Sequence, residues 1–188
     1  MQPIRIFRKY EKFEFRYDPT GYGSADIMFR YGDQKVEFHS TYVGSNPLWC
    51  LLNILPELVA KYDDRGYCHW SSEPGEMRLA ISMNQGLAKL LIEEFDDDFD
   101  YNDGDEAHWI KQLEAELPLQ TIVRAVLAEA DRNIQLFGIV GLGESWERDG
   151  DAIPLNAYLK LKGIKPRAKQ DTTYISSLNK EQWILKQL

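Results

Sequence analysis

Nine carboxylates fall between Glu93 and Glu106 with no lysine or arginine among them, and Phe95, Phe99, Tyr101 and, just beyond, Trp109 interleave them. Carboxylates at this density attract an approaching cationic surface, and aromatic side chains supply the anchors on which protein contacts concentrate. The chemistry that this pattern suits is docking of a basic protein, steered by charge and held by rings. Asp96, Asp97, Asp98, Asp100, Tyr101, Asp103, Asp105 and Glu106 are therefore the candidate partner-binding residues. A solvated connecting loop is the competing reading, but such a loop has little use for that many aromatics.

Metal chemistry fits the same residues poorly. Asp98-x-Asp100-x-Asn102 opens like a calcium loop, yet Gly104 stands one place late and the twelfth position is Trp109, where that loop needs a bidentate glutamate. Gly138-Ile-Val-Gly-Leu-Gly143 has the glycines of a phosphate cradle, but a helical pattern precedes it and Glu144, Glu147 and Asp149 follow. A phosphate site needs a strand before it and a helix opening after it. His39, His69 and His108 are isolated, and no Gly-x-Ser-x-Gly nucleophile turn occurs. Cys68 or His69 with Glu73 is the remaining arrangement with catalytic residue types, and a structural role is the simpler reading of each. No catalytic residue, metal ligand or cofactor is assigned; a metal- or carboxylate-dependent hydrolase with an unrecognised site is the alternative to a binding protein, and a homo-oligomeric structural protein is another.

Charge narrows the partner. The 188-residue chain has a formal charge of −8, and Lys160–Leu188 contributes +5 of it, leaving −13 for the rest. A nucleic-acid binder needs a basic footprint to release counterions, so no nucleic-acid partner is expected. A hydrophobic fraction of 44 %, with 5 Trp, 10 Tyr and 8 Phe, is enough to build a core. No run of about 18 apolar residues spans a membrane, and Met1–Tyr17 lacks the apolar stretch of a secretory signal. The expected location is the cytoplasm, where Cys50 and Cys68, each among apolar neighbours, are expected as two buried thiols in preference to a disulfide.

The elements that must position these residues follow from periodicity. Ile4–Phe7, Phe13-x-Phe15-x-Tyr17, Ile27-x-Phe29-x-Tyr31 and Val36-x-Phe38 read as strands, the last two as a hairpin across Gly32-Asp33. A helix is expected from Pro47 to Tyr62, capped by Ser45 or Asn46, with Leu48, Leu51, Leu52, Leu55, Leu58, Val59 and Tyr62 on its core face and Pro56 kinking or splitting it. Tyr67–Trp70, Met77–Met83 and Leu87–Phe95 read as further strands, and Trp70-Ser-Ser-Glu-Pro-Gly75 contains a turn. Helices are then expected over 106–116, over Leu119–Phe137 with Gly138 as its stop, and over a short segment ending at Gly163. Residues 1–163 are read as one α+β domain, an antiparallel sheet of about five to seven strands from the N-terminal half packed against helices mostly from the C-terminal half. Residues 164–188 are a linker and a terminal helix, Ser177–Leu188, that docks on its own domain, on a partner, or on a second copy as a homodimer.

Ser45-Asn-Pro-Leu48 before a leucine-rich helix, paired with Trp70-Ser-Ser-Glu-Pro-Gly75 before two alternating strands, is similar to patterns in small immunity families of bacterial polymorphic-toxin systems. The resemblance covers Gly44–Phe95. It implies an acidic, cytoplasmic, non-catalytic α+β protein that binds a toxin domain and blocks its active site. Such families vary most at the binding surface, so it transfers no binding residue. The acidic stretch would suit a basic nuclease toxin.

Overall fold

The computed structural model describes residues 12–41, 45–72, 75–95, 109–145 and 153–163. Phe13, Phe15 and Tyr17 alternate with Glu14 and Arg16, and this period of two makes the strand β1 (Phe13–Gly21) with all three aromatics buried on one face. β2 (Ser24–Tyr31) buries Ala25, Ile27 and Phe29 in the same way, and β3 (Gln34–Ser40) buries Val36. Gly21, Tyr22 and Gly23 all have left-handed φ, at 90°, 54° and 75°, which lets a tight turn join β1 to β2. The β2–β3 hairpin closes with Tyr31 opposite Gln34 across Gly32-Asp33, as predicted. These strands form a three-stranded antiparallel sheet in the order β1-β2-β3.

Helix α1 (Pro47–Ala60) starts where Asn46 Oδ1 accepts the Trp49 backbone N–H at 3.0 Å, with Pro47 in the first turn, where its missing donor costs nothing. Leu48, Leu51, Leu52, Leu55 and Leu58 are its buried stripe. Pro56 lies inside without dividing the helix. Val59 and Tyr62, expected on the core face, are exposed; Tyr62 lies beyond the helix, which ends at Ala60 where Lys61 turns the chain with φ 59°.

A four-stranded antiparallel sheet follows: β4 (Arg65–Ser71), β5 (Glu76–Asn84), β6 (Leu87–Phe95) and β7 (Trp109–Leu117), in that order. The last corrects the helix expected over 106–116. Its residues are mostly good helix formers, but Leu113, Ala115 and Leu117 alternate into the core and the segment pairs with β6, through a register shift between Ile92 and Glu93. A few tenths of a kcal/mol per residue of propensity yield to strand pairing and burial. The chain is thus α+β with seven strands divided between two sheets among the described residues, and β7 lies beyond the N-terminal half.

Helix α2 (Leu119–Ser145) breaks at Gly138, at φ 69° and ψ 171°, and then resumes, so Gly138 interrupts the helix where it was expected to stop it. Ile139 and Leu142, three residues apart and buried, give the resumed turn its core face. Helix α3 (Leu155–Leu161) ends before Gly163 as predicted and packs on α1 and α2. Residues 4–7 and 164–188, expected as a strand and as a linker with a helix, lie outside the described residues.

The two sheets meet over one buried cluster. Trp70 of β4 stacks on Phe29 and Phe38, with ring centroids 6.0 and 5.5 Å away. β3 reaches both edges of the second sheet. The Gln34 side chain exchanges hydrogen bonds with Glu114 of β7, at 3.0 and 3.2 Å, and the Thr41 N–H donates to Ser71 O of β4 at 2.9 Å. The β4 edge is further covered by Ser45 Oγ, which donates to His69 O at 2.9 Å. Edge groups that would otherwise template pairing with another chain are in this way taken up by side chains.

Cys50 of α1 and Cys68 of β4 form a disulfide, with Cα atoms 6.0 Å apart, which corrects the expectation of two free thiols. That expectation followed from the residue spacing and an assumed reducing compartment. What decides the pairing is α1 crossing β4, a contact that brings the two backbones within bridging distance.

Candidate protein-binding site

The outer faces of the two sheets differ in kind. On the first, cross-strand neighbours are Glu14, Arg30 and Lys35, then Arg16, Met28 and Glu37, then Asp18, Asp26 and His39, a set of mostly charged side chains of both signs that suits solvent. On the second, Tyr67, Ala80, Leu91 and Glu114 form one row and His69, Arg78, Glu93 and Lys111 the next, with Phe95 opposite Trp109 at the end. Inward-facing neighbours such as Cys68, Leu79, Ile92 and Leu113 are buried, so strand alternation alone puts this second set outside.

Trp109 organises the end of that face. The Arg78 guanidinium lies 4.3 Å from its ring centroid, the His69 ring meets it edge-on at 6.0 Å, and Phe95 meets it edge-on at 5.4 Å. Arg78 Nε donates to Glu93 Oε2 at 2.5 Å, which holds the cation over the indole. Four strands therefore contribute to one cluster, and Tyr67, 55 % exposed, extends it along β4. On β7, Glu114 accepts from Lys111 and pairs with Lys89, each at 2.6 Å, and these two cations hold its carboxyl well below the usual carboxylate range, at about 2. Arg78, Lys89 and Lys111 of this face are thus engaged by its own carboxylates, while Tyr67, Leu91, Phe95 and Trp109 offer contact area.

The candidate residues Asp96, Asp97, Asp98, Asp100, Tyr101, Asp103, Asp105 and Glu106 all lie outside the described residues, as does the calcium-like segment Asp98–Asn102. What is described is their root. They belong to the connection from β6 to β7, whose last and first residues, Phe95 and Trp109, are cross-strand partners in edge-on contact. Glu93 and Glu94, the other members of the acidic stretch, are engaged by Arg78 and by Gln112, whose Nε2 donates to Glu94 Oε2 at 2.7 Å.

The remaining chemistry-bearing residues separate. His69 joins the aromatic cluster and His39 Nδ1 bonds Asp26 at 2.7 Å on the other sheet, while Glu73 and His108 lie outside the described residues. Cys68 is in the disulfide. Among the described residues no three His, Cys, Asp or Glu side chains gather as a metal site, and no helix is long and apolar enough to cross a membrane. Sequence reasoning missed Arg78, His69 and Tyr67 as members of the cluster. Their only sequence signal is outward parity on alternating strands, which does not say which strands are neighbours.

A second polar centre joins α2 to β1. Glu129, 4 % exposed, accepts the Tyr17 N–H at 2.9 Å, and Arg132 and Asn133 donate to Tyr17 O at 2.8 and 2.9 Å. Arg132 also pairs with Glu129 at 2.5 Å and with Asp18. Asn46 Nδ2 donates to the Tyr17 hydroxyl at 3.0 Å, and burial pushes that phenol above its usual range. These bonds fasten helix to strand, and only Asn133 Oδ1 of the centre is buried without a hydrogen-bond partner among the described residues.

No family model, curated protein or solved structure matches the chain.

Proposed function

We propose that the chain is a non-catalytic protein-binding module of the immunity or inhibitor kind, which covers a basic partner such as a toxin domain. Its contact surface is the Trp109 end of the second sheet together with the acidic connection of residues 96–108. The observation that carries this reading is the contact between Phe95 and Trp109, extended by Arg78 and His69, at the two roots of that connection. Carboxylates that steer and rings that anchor then share one place on the molecule, the division of labour expected at a protein interface. The similarity of Ser45–Leu48 and Trp70–Gly75 to immunity-family patterns supports the same class. A carboxylate field would also imitate the nucleic acid that a basic nuclease toxin recognises.

The test exchanges Asp96, Asp97, Asp98 and Asp100 for asparagine and follows binding of the partner against salt. Slower association and a shallower salt dependence are expected, because these charges act mainly on encounter. Unchanged affinity with an unchanged salt slope would remove the acidic connection from the interface.

A further inference from the structure

β4 is an end strand of the second sheet, paired to β5, and α1 packs along its other edge. Alternate carbonyls on that edge are met in turn: Ser71 O by the Thr41 N–H and His69 O by Ser45 Oγ, each at 2.9 Å, while Tyr67 O lies 3.7 Å from Cys50 Sγ. One turn further along the helix, a Cβ on Gly66 would stand 3.1 Å from Ile54 Cβ, so α1 lies against the backbone of the strand itself. The Cys50–Cys68 bridge is the covalent member of this contact. Its strand residue stands between the two β4 members of the candidate site. Cys68 points into the core, and Tyr67 and His69 on either side of it turn to the outer face, so the position of Cys68 sets theirs. The His69 ring reaches Trp109 of β7 across two intervening strands, with 6.0 Å between centroids, and a small displacement of β4 is felt at that contact.

We propose that the Cys50–Cys68 bridge is a redox control on this face, an inference that rests on the Trp109 face being the contact surface. Oxidised, the bridge clamps β4 to α1 and holds His69 and Tyr67 in place, so little ordering is left to be done when a partner arrives. Reduced by a dithiol, β4 keeps its ladder with β5 and its non-covalent edge contacts, opens more readily, and the site binds more weakly. The two cysteines differ in access, Cys50 being half-buried and Cys68 1 % exposed. The incoming thiolate therefore attacks Cys50 Sγ, forming a mixed disulfide and releasing Cys68 as a thiolate that takes up a proton. The second thiol of the reductant then displaces Cys50, so two electrons and two protons pass to the protein and the reductant leaves as a disulfide. Both products have a place in the fold. Cys68 packs as a small apolar side chain, and the Cys50 S–H gains Tyr67 O as its acceptor. Reduction in this way loosens the strand without emptying the core.

NMR on the full chain, oxidised and after treatment with dithiothreitol, tests this without the partner, with Cys50→Ser beside the wild type. The oxidised protein is expected to show an NOE between the His69 and Trp109 rings that falls about threefold or more on reduction. The NOE between Phe95 and Trp109, on strands the bridge does not touch, is expected to persist and reports an intact fold. Cys50→Ser is expected to match the reduced spectrum with and without reductant. The proposal is overturned by a His69–Trp109 NOE that reduction leaves unchanged, by loss of both NOEs together, which would make the bridge a stability element only, or by a bridge that dithiothreitol cannot open while the chain stays folded. The wild-type comparison needs no substitution and decides the question even where Cys50→Ser fails to fold. A second arm separates this inference from the site it rests on: a protein captured through Trp109 is expected to be retained about fivefold less by reduced than by oxidised wild type. Equal retention by the two forms, with Trp109→Ala still defective, would remove the redox control and leave the site standing.

Discussion

Substituting Cys50→Ser removes the one covalent tie between α1 and β4 that the described residues contain. The bridge closes a loop with a sequence separation of 18 residues. On chain-entropy grounds a loop of that length stabilises the folded state by about 3 kcal/mol at 25 °C. Cys50 is the better residue to change, since it is half-buried and its sulfur lies 3.7 Å from Tyr67 O, an acceptor that a serine hydroxyl can use. Changing Cys68, 1 % exposed, would bury a polar atom as well as open the loop. Urea unfolding followed by tryptophan fluorescence, with and without reductant, separates the two effects. At a slope of about 2 kcal/mol/M, reduction of the wild type is expected to lower the midpoint by roughly 1.5 M. The Cys50→Ser protein is expected to be indifferent to reductant and to unfold near the reduced wild type. Equal midpoints for oxidised and reduced wild type, or two reactive thiols in the unfolded, unreduced chain, would refute the reasoning.

Glu129→Ala leaves the buried Tyr17 N–H without its acceptor and strips Arg132 of a partner, so a loss of about 2–4 kcal/mol is expected in the same unfolding assay, with Glu129→Gln intermediate. Glu114 should titrate at about 2 in a carboxyl NMR titration and move upward in Lys111→Ala. Because its folded value lies below the usual 4.5, its contribution is present above that pH and is lost as pH falls toward 2; salt should weaken it. Burial holds the Tyr17 and Tyr158 phenols above their usual value of 10.0, with Asn46 opposing at Tyr17 and Asp131 reinforcing at Tyr158. Their contribution is complete below pH 10.0 and is lost as pH rises, since the unfolded chain gives up these protons first. Absorbance at alkaline pH should show both ionising only as circular dichroism reports unfolding; earlier ionisation of a component missing in Tyr17→Phe would contradict this.

Local pattern made much of the fold legible. The alternation in β1, β2 and β5, the cap at Asn46, and the Gly32-Asp33 turn each depend on neighbours in sequence. β7 was not legible because its buried positions include the small Ala115, and because the register shift opposite Ile92 and Glu93 breaks the alternation at Gln112. Leu113 and Leu117, four apart, then satisfy a helical period as well as a strand's. The disulfide was hidden for a related reason: Cys50 lies on a helix and Cys68 on a strand, and only their packing brings them together. At the site, the carboxylates and rings of the β6–β7 connection were visible as composition. The cluster at their root depends on the β4-β5-β6-β7 order, which brings His69, Arg78 and Trp109 from distant parts of the chain onto one face.

The central claim is that this face binds protein. Its most direct test is quantitative capture from the native cell on wild-type protein, on Trp109→Ala, and on a Glu37→Ala control from the charged outer face of the first sheet, each verified as folded. A specific protein retained by wild type and by Glu37→Ala, and retained about tenfold less or lower by Trp109→Ala, is the expected result for an aromatic anchor. Equal retention of that protein by Trp109→Ala, or its loss with Glu37→Ala instead, would contradict the assignment of the site.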